Sequence, residues 1–195
     1  LGIKLGNVHA PLLHSSPSDF LPNSPLRSVT VRHTIGLADP LTDADVPDDE
    51  KIQDGLPQSL EDCIRTCGLT HFKIKVCGKP EVDRDRLTGI AKLLLANCTD
   101  GFKFSLDGNE QFKSFGPFRE FWNEVTSLPD LKDFWSNLLF VEQPLHRDAA
   151  LEADDQPLTD WVDAPPVIID ECDASTGSMP LALKLGYSGT SHKNC

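Results

Sequence analysis

The chain has 195 residues, 39% of them hydrophobic, enough to bury one sizeable core and no more than one domain's worth of it. Thirty acidic side chains against eighteen basic ones give a formal charge of −12, which argues against a nucleic-acid partner and against an anionic membrane surface. No stretch approaches the roughly eighteen consecutive apolar residues of a membrane span, and residues 1–5 lack the organisation of a signal peptide.

In chain order, residues 1–27 carry four prolines and several serines and read as a linker or as the remnant of an N-terminal capping domain. Residues 28–195 then form the domain proper. Residues 28–37 are rich in β-branched side chains and make a first strand. The acidic stretch 38–54, with Asp43, Asp45, Asp48, Asp49 and Glu50, lacks the glycine and the terminal glutamate spacing of a calcium loop and reads as a solvated loop. Ser59 opens a short helix with a capping-type start and Gly68 closes it. Cys63 and Cys67 lie four apart on that helix without the matching second pair that zinc requires. Six cysteines over this length indicate reduced thiols and a cytoplasmic setting.

Beyond Gly68 the rhythm is regular. Strands are predicted at 70–76, 102–106, 138–142 and 167–170, with a sixth beginning at 188–195. Helices are predicted over 82–97 and over 118–137 (broken near Pro129), and a short one at 179–185. Strands alternating with helices indicate a parallel α/β sheet. Residues 138–141 form an apolar run expected of a strand covered on both faces. Within the second strand Phe72, Ile74 and Val76 oppose His71, Lys73, Lys75 and Cys77. Within the third, Phe102, Phe104 and Leu106 oppose Lys103, Ser105, Asp107 and Asn109. Helices cover the outside of such a sheet, so the polar faces must look into an interior. A barrel lumen with polar groups near its carboxyl end fits both facts.

The strand ends carry Lys73 and Lys75, then Asp107 and Asn109, then Glu142, then Asp170, and finally Lys193. From Lys75 onward the principal members lie about 23 to 35 residues apart, room for one strand-plus-helix unit each. Three strand-end carboxylates suit a hard divalent cation; without one they would repel strongly. Lys184 competes with Lys193 for the last position but follows Asp170 too closely and sits in the predicted helix 179–185. His146 reads as a loop residue.

Lys73-Ile74-Lys75, Leu106-Asp107-Gly108-Asn109, Phe140-Val141-Glu142-Gln143-Pro144 and Ile169-Asp170-Glu171, in that order, resemble the enolase superfamily. The closest likeness is to its muconate-lactonising and dipeptide-epimerase branch. The resemblance covers residues 28–195 and implies a (β/α)8 TIM-type barrel, here partial with about six strands, whose capping domain is largely missing. It implies that Asp107, Glu142 and Asp170 bind Mg²⁺, or Mn²⁺, with Asn109 and Glu171 supporting them. Lys75 and Lys193 would be the acid/base pair, Lys73 would lower the pKa of Lys75, and Thr34 would contact substrate. The implied chemistry is abstraction of a proton α to a carboxylate through a metal-stabilised enediolate, giving racemisation, epimerisation or cycloisomerisation of a small-molecule carboxylate. A sugar-acid dehydratase of the same superfamily and a non-catalytic metal-binding barrel are the alternatives. About 250 residues make a whole barrel, so the sequence is expected to be a fragment of a longer protein, one that could be homo-oligomeric.

Overall fold

The computed structural model describes residues 12–153 and 155–193. Six parallel strands form one sheet, β1 (His33–Ile35), β2 (His71–Lys75), β3 (Lys103–Asp107), β4 (Leu138–Glu142), β5 (Val167–Ile169) and β6 (Gly189–Thr190). They lie side by side in sequence order. Between them run α1 (Leu60–Cys67), α2 (Pro80–Asn97), α3 (Phe115–Thr126), α4 (Lys132–Trp135), α5 (Arg147–Ala150) and α6 (Ser178–Lys184). Among the described residues no helix is long and apolar enough to cross a membrane.

Sequential order carries every crossover the same way across the sheet, so right-handed connections place the helices on one face. The strand pattern agrees. Phe72, Ile74, Phe104, Leu106, Val141, Val167 and Ile169 are all buried and belong to the single core cluster, together with Leu87, Ile90, Leu94, Phe118 and Phe134 of the helices. Phe104 stacks on Phe134 with ring centroids 4.1 Å apart. The other sheet face carries Lys73, Lys75, Ser105, Asp107 and Glu142.

Local chemistry explains the element ends. Ser59 caps α1 by accepting from the Asp62 amide at 3.1 Å. Gly68, at φ +61, takes the left-handed position that closes the helix. Asp83, buried near the start of α2, accepts from the Cys77 amide with both carboxylate oxygens, at 2.9 and 3.1 Å. It thereby fixes the turn immediately after Lys75.

Several expectations need correction. The first strand is three residues long rather than ten. Val29 and Val31, 75% and 66% exposed, precede it without entering the ladder, because only His33–Ile35 find partners in β2. The helix expected over 118–137 begins three residues earlier, at Phe115; its expected break near Pro129 is present, with α3 ending at Thr126 and the short α4 following at Lys132–Trp135. β4 is not an evenly buried run. Leu138 pairs with Phe104 and Val141 with Leu106, so β4 carries one extra residue against β3. That bulge leaves Leu139 38% exposed, sets Val141 toward the core, and turns Glu142 onto the polar face. β6 is a two-residue ladder at Gly189–Thr190; residues 194–195 of the expected strand lie outside the described residues, as do residues 1–11 of the expected linker.

Candidate functional site

The strand register builds a row of charged groups. Lys75 pairs with Asp107, and Asp107 pairs with Glu142, on three adjacent strands. Glu142 pairs in turn with Ile168, two residues before Asp170, so strand alternation puts Asp170 on the same face. Asp107 and Glu142 are fully buried, and Asp170 nearly so.

Cations hold all three acids. Lys73 Nζ lies 2.7 Å from Asp107 Oδ2 and 3.0 Å from Glu142 Oε2, bridging the two strands. Lys75 Nζ donates to Asp107 Oδ2 at 2.7 Å and to Asn109 Oδ1 at 2.5 Å. Lys193 Nζ donates to Asp170 Oδ1, while most of its side chain remains exposed. The strong repulsion expected of three clustered carboxylates is therefore relieved by the chain's own lysines. Among the described residues, no group of three or more His, Cys, Asp or Glu side chains is gathered as a metal-binding cluster.

Asn109 and Glu171 are also brought together. Asn109 Nδ2 donates to Glu171 Oε1 at 3.1 Å, and the Asn109 amide donates to Asp107 Oδ1 at 3.0 Å. Two carboxylate oxygens, Glu142 Oε1 and Glu171 Oε2, are buried with no hydrogen-bond partner. Such an atom costs about 1–3 kcal/mol unless something satisfies it. An all-oxygen donor set with spare buried acceptors fits a hard divalent cation.

The remaining sequence candidates separate cleanly. Thr34 lies opposite Lys73 in register and is exposed. Lys184 is exposed on α6, whereas Lys193 reaches Asp170. His146 caps α5, its ring nitrogen accepting from the Asp148 amide at 3.3 Å. The five described cysteines, Cys63 and Cys67 among them, are free.

Two further members of the site are not among the candidate residues of the sequence, although Gln143 lies within the Phe140–Pro144 motif. Arg32, just before β1, donates to Ser105 Oγ at 3.0 Å and lies 3.4 Å from Glu142 Oε2, its guanidinium over the Phe140 ring. Gln143 follows Glu142, is 1% exposed, and bonds to the loop beyond β5 through its side chain. Nothing local marks Arg32, whose partners stand 73 and 110 residues away. Gln143 could have been suspected from an amide side chain between a buried acid and a proline.

Electrostatics follow from these contacts. Burial pulls the Lys73 pKa down, yet its hydrogen bonds to Asp107 and Glu142 prevail and hold it above the ordinary lysine value. Burial pushes the Asp107 pKa up, but Lys73 and Lys75 together bring it below the usual aspartate value. The hydrogen bond to Asp170 raises Lys193.

A separate ion pair braces the loops that follow β3 and β4. Arg147 of α5 donates to Glu110 Oε1 at 2.8 Å and Oε2 at 2.7 Å through its guanidinium, and its amide adds a 2.8 Å bond to Oε1. These bonds bring the Glu110 pKa down to about 2 from an ordinary 4.5. A carboxylate with a depressed folded-state pKa contributes stability that is full above the unfolded value and lost as pH falls through the folded one. The Glu110 contribution should therefore be present above pH 4.5 and disappear as pH falls toward 2. Thermal melts of wild type and Glu110→Gln across pH 2 to 7 should diverge above about pH 4.5 and converge toward pH 2.

The chain matches no family model, no curated protein and no solved structure.

Proposed function

We propose that the chain catalyses abstraction of a proton α to a carboxylate, dependent on Mg²⁺ or Mn²⁺, as an isomerase or lyase of the enolase type. The observation that carries the proposal is the rung Lys75–Asp107–Glu142 on three neighbouring strands, continued by Asp170 and its partner Lys193. Asp107, Glu142 and Asp170 would hold the cation, with Asn109 and Glu171 behind them. When bound, the cation supplies positive charge where negative charge develops on the substrate carboxylate.

The chain's own residues divide the remaining work. Lys73 is tied to two fully buried carboxylates and kept protonated by them, so it serves as fixed positive charge rather than as a base. Lys75, on the same face two residues on, would take the α-proton as the neutral amine, after giving up the proton it donates to Asp107. Lys193, kept protonated by Asp170, returns a proton or assists a leaving group from the other end of the row. The substrate is a small-molecule carboxylate, and Thr34 lies at the edge of the face where it would bind.

A barrel wall of the (β/α)8 type is the architecture that suits this use. Sequential parallel order supports it. So does the reach of Arg32 to Glu142, three strands away in sheet order: a flat sheet would separate those strands by about 14 Å, at about 4.8 Å per neighbour. The contact is readily made when the polar face is concave. The free thiols support a reducing, cytoplasmic setting.

The test is exchange of α-hydrogen for deuterium, followed by NMR across a panel of carboxylates in D₂O with and without Mg²⁺. Lys75→Ala and Lys193→Ala should each slow exchange by about 10²- to 10⁴-fold, the usual weight of a positioned acid or base. Exchange unaffected by both substitutions would overturn the assignment. Cation binding with no exchange across the panel would assign the site to a non-catalytic scaffold instead.

A further inference from the structure

Gln143 is unusual in using every polar atom it has, at a backbone position that side chains rarely adopt. Its φ is +35°, in the left-handed region that favours glycine, and the residue is almost completely buried. Its amide donates to the Ile168 carbonyl at 2.9 Å, continuing the ladder to β5. Its carbonyl accepts from the Glu110 amide at 2.9 Å, reaching the loop beyond β3. Its Nε2 donates to the Leu145 carbonyl at 2.8 Å. Its Oε1 accepts from the Asp170 amide at 2.7 Å, and also takes the Cys172 amide at 3.4 Å and thiol at 3.2 Å. One residue therefore joins the ends of β3, β4 and β5, the three strands that carry Asp107, Glu142 and Asp170.

The local conformation follows from the same contacts. Glu142 must face the polar side, and Pro144 leads the chain away, leaving Gln143 to make the turn between them. A glycine would adopt that φ without strain but would supply no amide to hold Asp170. Strain of about 1–3 kcal/mol at such a position persists only where the surroundings fix it, and five partner residues here do so.

We propose that Gln143 is a positioning residue: its side-chain amide sets where Asp170 stands relative to Glu142. This rests on the proposed function for its catalytic meaning, while the placement itself is independent of any reaction. Second-layer hydrogen bonds of this kind alter metal affinity by about 10- to 100-fold when removed.

The test compares two near-isosteric substitutions in the full chain. Gln143→Glu keeps an acceptor for the Asp170 amide, and Gln143→Met does not. Residue-resolved amide hydrogen exchange by NMR should show Asp170 losing at least tenfold in protection in Gln143→Met and retaining it in Gln143→Glu, with Phe72 to Ile74 unchanged in both. Mg²⁺ affinity by calorimetry should fall at least tenfold in Gln143→Met. Equal Asp170 protection in the two variants, or a loss spread evenly over β2 and β3, would overturn the positioning role. Should Gln143→Met not fold, Gln143→Asn, one methylene too short to reach Asp170, takes its place with the same deciding outcomes. Wild type that binds no Mg²⁺ would sink the proposed function, and the Asp170 comparison would still decide the role of Gln143.

Discussion

Lys73→Met should lower stability by about 3 kcal/mol, near the lower end of the cost of removing one partner from a buried ion pair. For a domain of this size that is a melting temperature lower by about 6–12 °C. Methionine preserves most of the side chain's volume, so the loss comes from charge. Lys73 is the cation shared by Asp107 and Glu142, both fully buried, and among the described residues its removal leaves Glu142 with the longer 3.4 Å ion pair to Arg32. Two buried carboxylates then stand with less compensation than their desolvation requires. The same variant tests the candidate metal site, because a divalent cation can replace the missing charge. Mg²⁺ at millimolar concentration should raise the melting temperature of Lys73→Met by more than it raises that of wild type. Equal shifts would mean that the cation does not bind between these carboxylates. The pH dependence has a definite sign as well: a lysine whose folded pKa is raised stabilises fully below its ordinary value near 10.5 and loses the contribution as pH climbs past it.

Gly108→Ala should cost about 3 kcal/mol, at the upper end of the usual range for overpacking. A β-carbon at this position would lie 2.6 Å from Pro144 Cα and 3.3 Å from the Gln143 carbonyl oxygen. The obstacle is backbone, so no rotamer change relieves it. The strands themselves must separate, where the Gly108 amide donates to the Glu142 carbonyl at 2.9 Å. Asp107 and Asn109 lie on either side of the glycine, so the damage should be local as well as global. Denaturant melts should show the stability loss, and Mg²⁺ titration of the variant under conditions where it is folded should show weaker binding than wild type. A Gly108→Ala protein with wild-type stability would mean that the β3 and β4 ends are looser than the 2.6 Å approach implies.

These two positions show how differently the parts of the site are encoded. Gly108 belongs to the Leu106–Asn109 motif and is visible in sequence, though its reason, the approach of Pro144, is not. The strand alternation around Phe72 and Phe104 is a local property, because a strand with one face in the core must alternate whatever its neighbours are. The alternating strands and helices and the positions of Asp107, Glu142 and Asp170 at or just past strand ends were legible from pattern and spacing within a few tens of residues.

β4 was less legible. Leu138, Leu139, Phe140 and Val141 are uniformly apolar, and the pattern alone hides the extra residue that turns Glu142 onto the polar face. The first strand was overestimated because β-branched composition reports willingness to extend, whereas a ladder also needs a partner, and β2 offers one only to His33–Ile35.

By itself the sequence determined the α/β character of the chain, the parallel succession of its strands and the set of charged side chains at their ends, since each depends on composition and spacing within a few tens of residues. Only the tertiary structure decided which charges meet. Lys73 bridges Asp107 and Glu142, Arg32 crosses to Glu142, and Gln143 holds Asp170. These contacts are set by register, by one bulge and by the path of the turns, all of them relations between segments far apart along the chain.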